Sequence, residues 1–142
     1  MSDVNNASGH QNANFEKGLA IRRQVLGDEY VDAALNRPGE LVAQFQQLVT
    51  ENCWGTVWTR DQLDRKTRSL LTVAITGALN RQHELRVHTL GALRNGCTPE
   101  EIVEVMMHLA VYAGMPAGVD GFNSALAVIQ EFSGTADSAA TG

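Results

Sequence analysis

Residues 64–101 read DRKTRSLLTVAITGALNRQHELRVHTLGALRNGCTPEE, and this stretch decides the fold class. From Leu70 onward the first part is apolar on nearly every side, which predicts a buried helix over about residues 64–79. A second helix follows over about residues 82–94 and stops at Asn95-Gly96, a strong C-terminal signal. Thr98-Pro99-Glu100-Glu101 then opens a third. Thr98 is the cap, proline takes the first position, and Glu101 reaches back to complete a capping box. No alternating strand pattern interrupts the helical period.

Outward from this centre the same period continues. One helix is expected over about Phe15 to Leu26, stopping at Gly27. Another starts at Pro38, carries Leu41, Val42, Phe45 and Leu48-Val49 on one stripe, and runs out near Cys53-Trp54-Gly55. On the C-terminal side, Ile102 to Val111 extend the helix begun at Pro99 until Tyr112-Ala113-Gly114-Met115-Pro116 breaks it, and a last helix covers about Ala117 to Phe132. The fold class is all-α, a single domain over residues 15–132 built from about six helices in orthogonal or bundle-like packing. Residues 1–14 and 133–142, rich in Asn, Ser, Gly and Thr, are expected to be disordered.

Composition narrows the function. The chain has 142 residues and a net charge of −5, with basic clusters limited to Arg22-Arg23 and Arg65-Lys66-Thr67-Arg68. Nucleic acid is therefore not an expected partner. No apolar run reaches transmembrane length and the start lacks the layout of a signal peptide, so a cytoplasmic protein with no membrane contact is expected. A chain this short completes its sites most readily between subunits, which predicts a homo-oligomer. Cys53 and Cys97 are distant in sequence and outside any CxxC pattern, and read as free thiols in a reducing compartment.

The chemistry centres on Glu84 and His88 in HELRVH (residues 83–88). Four residues apart on a helix, they project from one face, and the carboxylate can fix the imidazole's tautomer and raise its basicity. The run resembles a zinc-protease signature with one residue too many. His83 and His88 lie roughly 140° apart around a helix, so they cannot chelate one ion, and no metal is expected. Trp54 and Trp58 are spaced to wall an apolar pocket, Trp58 being the better candidate because Thr59-Arg60 follow it. Arg81 precedes the pair by less than a turn and can grip a carboxylate, or be an exposed helix-start arginine. His108 reads as a hydrogen-bonded core histidine, Met106 and Met107 as core filler, and His83 as surface or interface. The cations Arg65, Lys66 and Arg68 oppose the dipole of the helix they open, and read as a solvated end, a subunit contact or an anion site.

Taken in order, several short pieces resemble the gamma-carboxymuconolactone decarboxylase family. They are Ile21-Arg22-Arg23-Gln24-Val25-Leu26-Gly27-Asp28, Trp54-Gly55 with Trp58-Thr59-Arg60, Arg68-Ser69-Leu70, Asn80-Arg81, Glu84-Leu85 with His88, Asn95-Gly96 with Thr98, Glu101-Ile102 with Glu104-Val105, and Tyr112 with Gly114 and Pro116. The match spans about residues 15–132. The wider alkylhydroperoxidase-like superfamily uses a CxxC whose second cysteine lies four residues before the helix histidine. Here Arg81 and Glu84 occupy those positions, so dithiol peroxide reduction is not expected. Two departures from the decarboxylase pattern, His83 and Arg60-Asp61-Gln62, bear on the substrate more than on the chemistry.

The resemblance implies conversion of 4-carboxymuconolactone to 3-oxoadipate enol-lactone and CO2, a step of the beta-ketoadipate pathway in protocatechuate degradation. The leaving carboxylate is conjugated through the ring double bond to the lactone carbonyl, so the substrate supplies its own electron sink and no cofactor is needed. His88 is then the general acid and Glu84 its positioning or relay partner, with Arg81, Trp58 and Arg60 on the carboxylated lactone. The family resemblance also implies a hexamer. Two alternatives remain: a thiol-dependent redox protein using Cys53 and Cys97, and a non-catalytic oligomeric ligand-binding module.

Overall fold

The computed structural model describes residues 4–140, with side chains from Ala13 onward. Among the described residues there are seven α-helices, one π-helical segment and no strand. The all-α expectation is met. The chain divides into two compact units, Met1–Leu63 and Asp64–Gly142, taken here in turn.

In the first unit, α1 (Val4–Leu26) ends where expected, because Gly27 turns to φ 87, a left-handed conformation that side chains resist. Its start differs: helix covers residues 4–14, where composition reads as disorder. Asn14 ties down the end of that stretch by donating to the Glu51 carbonyl (2.8 Å) and the Thr56 hydroxyl (3.2 Å). A short helix the sequence reading omitted, α2 (Asp28–Leu35), follows at once, with Asp28 and Glu29 in its first turn. Arg23 braces the α1–α2 corner through Asp28 (3.3 Å) and Asp32 (2.6 Å). Helix α3 (Glu40–Val49) begins after Gly39, so Pro38 lies just outside it rather than in its first turn.

The expected stop near Cys53 does not occur. The chain instead continues as a π-helical segment, Thr50–Val57. Such segments are rare and gather at functional sites. Here the wider winding brings Thr50, Trp54 and Trp58 onto one buried stripe (0%, 3% and 7% exposed). Helix α1 packs on this segment backbone to backbone. A Cβ on Gly18 would strike the Thr50 carbonyl and lie 2.6 Å from the Gly55 amide nitrogen, and one on Gly55 would strike the Asn14 carbonyl.

The second unit holds α4 (Arg65–Ala78), α5 (Gln82–Arg94), α6 (Pro99–Ala113) and α7 (Met115–Ala140). Asp64 caps α4 by accepting from the Thr67 amide at 2.7 Å. Both halves of the capping box at Thr98 and Glu101 are formed. Glu101 also pairs with Lys66 at 2.7 Å, so one of the cations opening α4 serves to tie α4 to α6. Helix α7 starts two residues sooner than expected, directly after Gly114 (φ 110), and runs past Phe132.

Val73, Leu85, Ala92, Ile102, Met106, Leu109, Ala125 and Val128 form the core of this unit. Helix α4 is not buried all round, as its composition predicts. It buries Ser69, Val73 and Gly77 while Leu71 and Ile75 stay exposed. Met107 is likewise exposed rather than core filler. The apolar character of these helices therefore exceeds what the core of their own unit uses.

Candidate active site

Helix α5 carries the Glu84/His88 pair, and the turn before it fixes where the pair points. Asn80 takes a left-handed φ of 56, which asparagine tolerates better than most residues. The Arg81 amide donates to the Thr76 carbonyl (2.8 Å), and the Arg81 carbonyl accepts from the Leu85 amide (2.8 Å). Gln82 links the Asn80 side chain (2.7 Å) to the Ser124 hydroxyl of α7 (2.6 Å). This chain of amides and a hydroxyl sets the entry angle of α5. The sequence reading missed it, although Asn80 before a helix was a visible signal.

Leu85 and Thr89, both fully buried, face the core, and Thr89 back-bonds to the Leu85 carbonyl at 2.7 Å. That inward face leaves Glu84 exposed and His88 half-buried on the adjoining side. Burial pulls the His88 imidazole down to about 4, against the opposing pull of the Glu84 charge. Near neutral pH the resting ring is therefore neutral. A neutral imidazole can accept a proton, or donate a hydrogen bond through its N–H.

The shift has a measurable consequence. The unfolded chain takes up a proton at His88 near pH 6.5, the folded chain only near 4. Stability is therefore lost as pH falls through that window, by up to about 3 kcal/mol. Urea unfolding of wild type and His88→Gln at pH 7 and pH 4.5 isolates this share, since the variant keeps every other titrating group. Equal losses in both proteins would show that His88 does not resist protonation.

Arg81 is exposed at the cap of α5. Trp58 is buried and stacks on Trp54 with ring centroids 4.8 Å apart, and Arg60 is exposed just beyond. These two belong to the first unit, while Arg81, Glu84 and His88 belong to the second. His83 is exposed, as expected. His108 is not a core residue. It is exposed on α6, lies tilted against the Tyr112 ring with centroids 4.7 Å apart, and lines an apolar groove of about 550 Å³ with Thr67, Leu70, Leu71 and Ile75.

Burial pushes both thiols up, Cys53 and Cys97 alike, away from the thiolate that redox exchange requires. Cys97 is also engaged, its sulfur donating to the Lys66 carbonyl at 3.6 Å. The redox reading loses ground on both counts.

Comparison with known proteins settles the lineage. The model of the Carboxymuconolactone decarboxylase family matches residues 43–130. The chain belongs to the carboxymuconolactone decarboxylase family. Within the carboxymuconolactone decarboxylases, the chain is 44% identical over 119 residues to the nitrosuccinic acid decarboxylase of Metarhizium robertsii, covering 84% of this chain and 82% of that protein. It is 38% identical over 117 residues to the 4-carboxymuconolactone decarboxylase of Acinetobacter baylyi, covering 82% and 84%. Membership and both relatives mark it as a carboxy-lyase acting on a small molecule. No described helix is long and apolar enough to cross a membrane.

Proposed function

We propose that the chain decarboxylates 4-carboxymuconolactone without a cofactor, giving 3-oxoadipate enol-lactone and CO2 in protocatechuate breakdown. The observation carrying this is His88, a half-buried imidazole beside the Glu84 carboxylate, in a chain 38% identical to a 4-carboxymuconolactone decarboxylase across most of both proteins. As the bond to the carboxylate breaks, its electron pair moves through the ring double bond into the lactone carbonyl, leaving a dienolate. One proton must then reach ring carbon. An anionic substrate beside His88 raises the ring's proton affinity, so the imidazole takes a proton from solvent on binding and delivers it after CO2 departs. Glu84 favours the charged ring through its own charge. Arg81, Trp58 and Arg60 are the proposed substrate contacts, through carboxylate pairing and an indole wall.

A second substrate has a specific observation in its favour, the 44% identity to a nitrosuccinic acid decarboxylase. The chemistry is of the same kind: a carboxylate next to a nitro group leaves its electrons in the nitro oxygens as a nitronate, which is then protonated at carbon. Both acids carry their own electron sink.

The surplus apolar surface on α4 and α6, with Leu71, Ile75, Val111 and Tyr112 exposed, supports a homo-oligomer, and a hexamer is the form proposed. A cytoplasmic location accords with the free thiols. The deciding experiment incubates the purified protein separately with freshly generated 4-carboxymuconolactone and with nitrosuccinate, following CO2 and the product by NMR. Rapid formation of the enol-lactone supports the first reading. Turnover of nitrosuccinate alone replaces it with the second, and turnover of neither ends both.

A further inference from the structure

Arg81 belongs to two helices at once. Its amide closes α4 on the Thr76 carbonyl (2.8 Å) while the Asn80 amide reaches the Gly77 carbonyl (3.1 Å), the paired bonds of a Schellman end. Its carbonyl then accepts the first bond of α5, from the Leu85 amide (2.8 Å). The backbone of Arg81 is therefore fixed on both sides. Its exposed side chain makes no cap hydrogen bond and, among the described residues, no ion pair.

The usual residue at the left-handed position of such an end is glycine, which meets no steric cost there. This chain has Asn80 instead, at φ 56, and its side chain performs a task glycine could not. The Asn80 Oδ1 accepts from Gln82 Nε2 at 2.7 Å, and the Gln82 Oε1 accepts from the Ser124 hydroxyl at 2.6 Å. Ser124 is half-buried on α7, next to the fully packed Ala125. The brace thus runs from the packed side of α7 out to the exposed turn that carries Arg81.

Arg81, Glu84 and His88 follow at i, i+3 and i+7, so they share one side of the helix. Seven residues amount to two turns, about 10 Å along the axis, a span that a long arginine stem and a small diacid cover between them. We propose that Asn80 and Ser124, acting through Gln82, are positioning residues that hold Arg81 to take a carboxylate of the organic acid decarboxylated at His88. The proposal rests on the decarboxylase reading and adds to it a division of labour along one helix. Both candidate acids carry two carboxyl groups. Arg81 serves the one retained, and His88 the carbon that the other leaves.

The test measures kcat and KM on whichever acid is turned over, with thermal midpoints as the folding control. Arg81→Met raises KM by about 10- to 100-fold, through loss of charge-assisted bonds to a carboxylate, while kcat changes much less. Asn80→Gly keeps the left-handed turn and removes the Oδ1 acceptor, so its midpoint stays close to wild type while KM climbs about 3- to 30-fold. Ser124→Ala raises KM to a similar extent, and Ser124→Thr, which keeps a hydroxyl, stays near wild type. In an Arg81→Met background neither Asn80→Gly nor Ser124→Ala raises KM further, because the group they position is gone. An unchanged KM in Asn80→Gly or Ser124→Ala overturns the proposal, as do increases that add in full to that of Arg81→Met. If wild type decarboxylates neither acid, the functional reading fails separately, and calorimetric titration of succinate, a simple dicarboxylate, into the same proteins decides the positioning role. Succinate binding that weakens in Arg81→Met, Asn80→Gly and Ser124→Ala upholds it. Wild type that binds no succinate, or variants that bind it equally well, overturn it.

Discussion

Turnover of His88→Ala is expected to fall by about two to four orders of magnitude, the usual contribution of a positioned acid/base group. The protein should remain folded, because the native ring is half-buried and neutral at rest, and its removal strands no charge. Steady-state kinetics on the accepted acid, with circular dichroism as the folding control, provide the measurement. Glu84→Gln should lose less, since Glu84 is exposed and acts on the ring through its charge. A proton taken up on substrate binding also makes kcat/KM fall as pH rises, and His88→Ala should abolish that slope. Near-wild-type turnover in a folded His88→Ala protein would remove this residue from the chemistry.

The largest structural effect is expected at Gly18. A methyl there meets the Thr50 carbonyl and the Gly55 amide nitrogen and Cα, the latter two at 2.6 and 2.9 Å. All three are backbone atoms, so no side chain can swing aside, and α1 must separate from the π-helical segment. Overpacking of this kind costs about 1–3 kcal/mol, and more where backbone has to move. The matching control is Gly134→Ala in α7, where a Cβ meets nothing within 4 Å. That change should be neutral or stabilising by up to about 1 kcal/mol through helix propensity. Urea midpoints of the two variants decide the matter: similar values would mean the close approach at Gly18 is not rigid.

The contrast between what could and could not be read from sequence follows how local each signal is. Helix α5 and the opening of α6 were legible because Asn95-Gly96 and the Thr98–Glu101 capping box act within a few residues. Helix α2 was not: its eight residues carry little periodicity, and its anchor is an arginine on another helix. The π-helical segment was hidden because Thr50, Trp54 and Trp58 recur every four residues, a spacing an α-helix also satisfies. For α4, composition revealed apolar character but not which side would lack a cover within its unit.

The candidate site divides in the same way. Spacing alone put Glu84 and His88 on one face of a helix. The charge state of His88 depends on burial, which no spacing reports.

The tryptophan pair makes the two halves of this protein optically unequal. The sequence contains two tryptophans, and both lie in the unit before Asp64, stacked 4.8 Å apart. Intrinsic indole emission is therefore a reporter for α1 and the π-helical segment, where both rings lie. Two indoles at that separation also couple their transitions, so near-ultraviolet dichroism carries a signature of the stack itself. A fluorescence melt and a far-ultraviolet melt of this chain observe different parts of it, and any gap between the two curves measures how independently those parts come apart.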